Sequence, residues 1–372
     1  MSGGMMAHLH EQAEIPRNQR RNLMAKRRLN RQQKWRIEKI QDERTARASR
    51  RERDINRQLQ AGELGDEQSG LVIAHFGKQI DVEALEGDHR GEIIRCHVRA
   101  NLGSLVTGDR VVWRPGAEDL GVIVAVQERD NLLQRPDKFG QLKPVAANID
   151  RIILVIAPEP EPHDNLIDRY LVAAENCNIT PLLLLNKTDL IGDHNRAQLE
   201  ALLQRYEALD YTVEQTSMHT APEDDHTIES LLKNRTSVFV GQSGVGKSSI
   251  ISRLLQDSSI KVGEVSQSTG KGIHTTTTAR LFHLGLGGDL IDSPGIREFG
   301  LWHMDIEHLE YGFREIRPLI GHCRFRNCRH QAEPGCALRE AEEKSEISPA
   351  RMQSFRRIYA EIEASDWQNP AR

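Results

Sequence analysis

The sequence predicts an α/β protein in three folded parts: a small all-β barrel, a doubly wound sheet, and a compact Cys/His module that ends in a helix. Three observations predict it. Residues 69–135 hold short β-rich runs separated by Gly, Asp and Pro. Residues 149–315 alternate near-continuous apolar strands with amphipathic helices. Three cysteines and a histidine crowd into residues 323–336. A length of 372 residues fits two or three domains rather than one. The expected limits are 1–65 for an arm, 66–148 for the barrel, 149–315 for the sheet and 316–372 for the terminal module.

Net charge is only −4, yet the average hides a split. Residues 1–60 carry 16 Lys and Arg against 7 Asp and Glu, and the remainder carries 34 against 47. A basic arm on an acidic body suggests a polyanionic partner for the arm. The arm is rich in Arg, Gln and Asn and cannot bury enough apolar area to offset its ordering entropy, so we expect it to be mobile in isolation. Few breakers occur between Asn18 and Gln60, so it can become helical on RNA, where Trp35 could stack on a base. The alternative is a solvated extension without function. No run of about 18 apolar residues indicates a membrane span. The N-terminus "MSGGMMAHLH" lacks an apolar signal core, so a cytoplasmic protein is expected. The five cysteines are Cys96, Cys177, Cys323, Cys328 and Cys336. An odd count with one tight cluster fits reduced thiols and a metal better than a disulfide framework.

In the barrel region, "GLVIAHFGKQIDVEAL", "GEIIRCHVRA", "DRVVWRP" and "LGVIVAVQER" read as strands, with a turn at Gly108–Asp109. Five or so short strands favour an OB-type barrel, a frequent nucleic-acid platform. A barrel that only packs against its neighbour is the alternative, since no row of exposed aromatics marks a stacking surface. In the sheet region, "DRIILVIAP" and "ITPLLLLNKTD" are buried strands. "NLIDRYLVAAENCN" is a helix with Leu166, Tyr170, Leu171 and Ala174 along one face, and "RAQLEALLQRYEAL" is a second. "TSVFVGQSGVGKSSIISRLL" reads strand, loop, helix. The tail "SPARMQSFRRIYAEIEA" is a helix with Pro349 near its start.

Gly241-Gln242-Ser243-Gly244-Val245-Gly246-Lys247-Ser248, followed by Ser249, fits a phosphate loop in every fixed place. The glycines let backbone N–H groups turn inward around phosphate oxygens, and the helix that follows adds partial positive charge. Lys247 would reach the β- and γ-phosphates, and Ser248 would offer its hydroxyl to Mg²⁺. Asn186-Lys187-Thr188-Asp189 closes a buried strand, where ligands of α/β folds gather. Asp189 would accept from guanine N1–H and its 2-amino group, a pattern adenine cannot satisfy. Asn186 would lie near the other edge of the base, and the Lys187 stem would cover the ring. An ordinary Asx turn is the alternative for these four residues alone.

Asp292-Ser293-Pro294-Gly295 follows the short strand "GGDLI". Asp292 would hold Mg²⁺ through water, and the Gly295 N–H would contact the γ-phosphate. The Thr275–Thr278 run lies between this element and the phosphate loop, in a segment loosened by Gly270 and Gly272. Thr276 or Thr277 is the expected Mg²⁺ contact; a polar surface loop is the alternative. Ser217, after another strand, would meet the base through backbone N–H groups, though Met218 stands where alanine usually follows. Gly241 lies 55 residues after Asn186, the reverse of the usual order. A sheet gathers strand ends whatever their chain order, so old termini can be joined and new ones opened elsewhere. That is a circular permutation, and it predicts one site.

Cys323, Cys328, His330 and Cys336 offer three thiolates and one imidazole, a set suited to one closed structural Zn²⁺ site per chain. Unbound reduced cysteines are the alternative. Arg324, Arg326 and Arg329 interleave with the ligands, either as an RNA-facing edge or as solubilising charge. In place of the glutamine that orients water in Ras-type enzymes, the position after Gly295 holds Ile296. His274 is the nearest candidate to take that role, the alternative being a solvent-exposed histidine.

The motifs "RPDKFGQLKPVAANIDRI", "GQSGVGKSS", "HTTTTARLF", "IDSPGIREFGLW" and "CRFRNCRHQAEPGCAL" resemble those of the ribosome small-subunit-dependent GTPase A family, over about residues 69–340. The resemblance implies an OB-fold domain, a circularly permuted GTPase domain and a zinc-binding domain. It also implies GTP hydrolysis stimulated by the small ribosomal subunit, rRNA binding during late maturation, and His274 as the water-positioning group. We expect a monomer with GTP and Mg²⁺, no membrane partner, and unassisted turnover on the order of 10⁻⁴–10⁻² s⁻¹. An RNA-binding scaffold whose GTP site is structural or regulatory is the alternative. A small-molecule kinase would share the phosphate loop but not Asn186–Asp189.

Overall fold

A computed structural model of the chain describes residues 64–76, 79–99, 102–116, 120–136, 141–219, 226–257, 279–285, 287–293, 296 and 304–368. Residues 1–63 of the expected arm lie outside the described residues, as do His274, Thr276, Thr277 and Gly295.

Strands β1 (Gln68–Phe76), β2 (Gln79–Ala84), β3 (Ile93–Val98), β4 (Arg110–Pro115) and β5 (Leu120–Val126) form the expected barrel. β1 pairs antiparallel with β2 and β4, β2 with β3, and β4 with β5, while β3 and β5 run parallel and close the ring. Strict alternation along β2 sends Ile80, Val82 and Ala84 inward, against Cys96, Val111, Trp113 and Ile123. The turn at Gly108 is tight: its φ is +92°, and a Cβ there would sit 2.2 Å from the Ala147 carbonyl oxygen. Asp109 is fully buried and held by Arg129 at 2.6 Å.

A hairpin of β6 (Leu132–Pro136) and β7 (Leu142–Ala147) forms a separate two-stranded sheet. The sequence pattern did not set it apart, because Pro136 and Pro144 break the strand signal.

The α/β part runs β8 (Arg151–Ile156), α1 (Asp164–Asn176), β9 (Thr180–Leu185), α2 (Arg196–Glu207), β10 (Thr212–Gln215), α3 (Thr227–Leu232), β11 (Thr236–Val240), α4 (Lys247–Asp257), β12 (Arg280–His283) and β13 (Asp289–Asp292). The strand order is β10-β9-β8-β11-β13-β12. The first five are parallel, and β12 is an antiparallel addition to β13. After their first residues β8, β9 and β11 are buried throughout, as strands covered on both faces must be. β12 also pairs with β1 through Ala74 and Arg280, so barrel and α/β strands form one eleven-stranded sheet.

The face expected on α1 is present: Tyr170, Leu171 and Ala174 are buried against the sheet, and Leu166 packs partly against it. Its other face is covered as well, which an amphipathic pattern does not announce. Val172 joins the core of the terminal module, and Asp168 is fully buried. That module contains α5 (Ile306–Gly312), α6 (Ala337–Glu343) and α7 (Pro349–Gln368) around Leu309, Phe313, Ile316, Met352, Phe355 and Ile358. Arg351, 1% exposed, donates from Nη1 to Asp168 and from Nε to Glu315 at 2.6 Å. Tyr206 Oη donates to the same Asp168 at 2.7 Å. One guanidinium therefore ties α7 to the α/β body. Among the described residues no helix is long and apolar enough to cross a membrane.

Candidate functional site

The loop between β11 and α4 is built by backbone angles that side chains resist. Gly241, Gly244 and Gly246 have φ of +132°, +87° and +100°. A Cβ on Gly241 would meet the Val155 carbonyl oxygen at 2.3 Å, so this loop is pressed against β8. Lys247 opens α4 and folds back over the loop, its Nζ donating to the Gly241 and Gln242 carbonyls at 2.7 Å each. Val245 is buried and anchors the loop, while Ser243, Gly244, Ser248 and Ser249 are exposed at its rim. Loop amides, an ammonium and a helix start converge as a polyphosphate requires.

The Asn186–Asp189 motif lies against this loop. Asn186 follows β9, its side chain is buried, and its Nδ2 donates to the Val245 carbonyl at 2.9 Å. A Cβ on Gly246 would sit 2.2 Å from that same Nδ2. Lys187 takes a left-handed backbone, φ +59°, and its Nζ donates to the Glu159 carbonyl at 2.9 Å. Thr188 and Asp189 form the next turn, and the Thr188 N–H donates to the Thr216 carbonyl. Ser217 is buried and its hydroxyl donates to Asp189 Oδ1 at 2.5 Å. That bond holds the Asp189 carboxyl below the usual carboxylate range, with smaller help from His219 and Lys187. Beyond the backbone contacts to a base expected of Ser217, its side chain therefore holds Asp189. A hydrogen bond accepted by the carboxylate favours its ionised form.

Asp292 ends β13, one strand across from the phosphate loop, and pairs with Arg280 across the β12–β13 hairpin. Ser248 is exposed at the start of α4 and Asp292 ends the neighbouring β13, and both carry the oxygen donors that hard cations take. Ile296 is 2% exposed and belongs to the core beneath the sheet. A side chain buried there cannot orient water, as its chemistry already indicated. The barrel reaches this region too: Thr107 Oγ1 donates to the Ala279 carbonyl at 3.0 Å, just past the threonine run.

The four expected metal ligands come together. One donor atom from each of Cys323, Cys328, His330 and Cys336 lies within 4.8 Å of the others. His330 Nδ1 is 3.4 Å from Cys336 Sγ and 3.6 Å from Cys323 Sγ. A tetrahedral zinc with ordinary Zn–S and Zn–N bonds sets that edge at about 3.5 Å. The donor set fits Zn²⁺, and four protein ligands close it to water. The module is tight: His330 has φ +59°, and the Arg324 N–H donates to the Gly335 carbonyl at 2.9 Å. Sequence reasoning missed Glu310, whose carboxylate lies 3.1 Å from His330 Nε2. It also missed Thr107 and the Arg351 cluster, since no local motif links residues so far apart in the chain.

The family model for the RsgA GTPase matches residues 126–302. A protein of Marinobacter nauticus called small ribosomal subunit biogenesis GTPase RsgA is 68% identical over 340 residues, 91% of this chain and 97% of that one. A protein of Hahella chejuensis with the same name is 60% identical over 343 residues, 92% of this chain and 98% of that one. Among solved structures, YjeQ from Thermotoga maritima matches at 30% identity and a TM-score of 0.63, covering 80% of this chain and 99% of that one. YloQ, described as a circularly permuted GTPase, matches at 29% identity and a TM-score of 0.63, covering 81% and 96%.

Proposed function

This chain belongs to the RsgA GTPase family, and from that premise we propose that it binds the small ribosomal subunit and couples GTP hydrolysis to a late step of the subunit's maturation and to its own release. It is a GTP hydrolase, and its family's chemistry uses Mg²⁺ with GTP. The observation that carries the nucleotide half of this reading is the 2.9 Å bond from Asn186 to the Val245 carbonyl, which makes base motif and phosphate loop neighbours.

In this reading Asp189, steadied by Ser217, accepts from guanine, while Asn186, Lys187 and Thr188 shape the base slot. Residues Gly241–Ser249 cradle the phosphates. Ser248 and Asp292, with Thr276 or Thr277, would hold Mg²⁺, whose charge would offset that of the phosphate oxygens. Gly295 senses the γ-phosphate and His274 orients the attacking water. The proposed domain limits are 66–148, 149–315 and 316–372 after an arm of 1–65, with α5, at the end of the GTPase stretch, packed into the core of the terminal module. The basic arm and the arginines of the zinc module face rRNA, in the cytoplasm, with the protein acting as a monomer. The scaffold reading is not favoured, because the chain's relatives over almost their whole length are GTPases.

The test is GTP turnover with and without purified small subunits. We expect about 10⁻⁴–10⁻² s⁻¹ alone and strong stimulation by subunits, with excess ATP failing to compete. Turnover indifferent to subunits would remove the ribosome-coupled reading. Equal subunit affinity with GDP and a GTP analogue would remove the release step.

A further inference from the structure

We propose that Glu310 is a positioning residue for the zinc centre: it fixes His330 so that Nδ1, not Nε2, binds the metal. The inference rests on reading Cys323, Cys328, His330 and Cys336 as a zinc site. Nothing in the spacing of those four residues points to Glu310, which sits 20 residues earlier on α5.

The geometry is directional. His330 Nε2 lies 3.1 Å from Glu310 Oε1, while Nδ1 faces the thiols of Cys323 and Cys336. A carboxylate can only accept, so it keeps the single proton of a neutral imidazole on Nε2. The Nδ1 lone pair is then left toward the sulfurs. Such an outer carboxylate also raises ligand basicity and stops the ring from turning. His330 is 6% exposed, and Phe355 and Tyr359 meet its ring from α7 at centroid distances of 6.0 and 6.5 Å. Glu310 supplies the polar side of that cage. Its helix is well held: Asp305 caps it by accepting from the His308 N–H at 2.8 Å, and Leu309 is buried in the module core. Gly312 ends it so close to α1 that a Cβ there would meet Val172 Cγ1 at 2.3 Å. The carboxylate is therefore delivered from a rigid element, as precise orientation of a ligand demands.

The experiment uses the full-length zinc-loaded protein, wild type, Glu310→Ala, Glu310→Gln and Glu307→Ala. Glu307 is an exposed residue of the same helix and serves as the control. Zinc affinity is read by competition with a chromogenic chelator, and ligand geometry by the visible spectrum of the cobalt-substituted protein. Glu310→Ala should weaken zinc binding about 10- to 100-fold and alter the cobalt bands, with Glu307→Ala unchanged. Glu310→Gln keeps an acceptor without the charge and should lose about three- to tenfold. Wild-type affinity and spectrum in a folded Glu310→Ala protein would overturn the proposal. If that variant does not fold, wild-type zinc affinity in Glu310→Gln overturns it instead. A wild-type protein that binds no zinc would sink the metal centre itself, a separate outcome.

Discussion

Asp189 and Gly246 carry the sharpest residue-scale consequences. Asp189→Asn replaces an ionised acceptor with an amide that cannot take both guanine N–H groups. Charge-assisted hydrogen bonds are worth about 1.5–3 kcal/mol each, so the Kd for GDP should rise roughly 10²- to 10⁴-fold by calorimetry. Gly246→Ala would thrust a methyl to within 2.2 Å of the Asn186 amide at a φ of +100°. We expect nucleotide binding to be lost while far-UV circular dichroism stays native; retained binding would contradict the packed arrangement of the two motifs. At this scale the glycine loop at Gly241–Ser248, the turn at Asn186–Asp189 and the clustering of Cys323, Cys328, His330 and Cys336 were legible, because each is a short stretch with fixed spacing. Glu310 and Arg351 were not, because what gives them meaning is a partner brought close by folding.

The β12–β13 hairpin carries an ionic link to the barrel. His283 on β12 lies 2.6 Å from Asp289 on β13 and 2.6 Å from Glu83 on β2 of the barrel. Hydrogen bonds to those carboxylates, Asp289 first, lift the imidazole from its usual 6.5 to about 10. A raised folded value means that the contribution is complete below about pH 6.5 and is lost as pH rises through about 10. Half of the His283 side chain is exposed, so solvent screening keeps the effect modest. In urea melts, the stability gap between wild type and His283→Gln should shrink steadily from pH 6.5 to pH 10; a constant gap would exclude an ionic role. Strands and helices such as β8, β9 and α2 could be read from apolar pattern. The joining of barrel and sheet could not, since its links, Ala74–Arg280, Glu83–His283 and Thr107–Ala279, connect residues far apart in the chain.

At the scale of the whole molecule, the zinc module is fastened by charge as well as by apolar packing. Arg351→Ala would strand Asp168 and Glu315 without their counter-charge. Such breaks cost about 3–5 kcal/mol, so the urea midpoint should fall sharply while the zinc ligands stay untouched. The circular permutation was legible from motif order, and the sheet explains why the chain tolerates it. One further property follows from the β12–β13 hairpin. Arg280 faces Asp292 across it, so the exit of the threonine segment and the entry to the Asp292 segment are locked in one register. Side chains alternate along a strand, so a one-residue slip would turn Asp292 to the opposite face. Chain length between His283 and Asp289 is therefore under tight constraint. A single-residue deletion there should disarm the nucleotide site from a distance, whereas one in an exposed loop elsewhere should pass almost unnoticed.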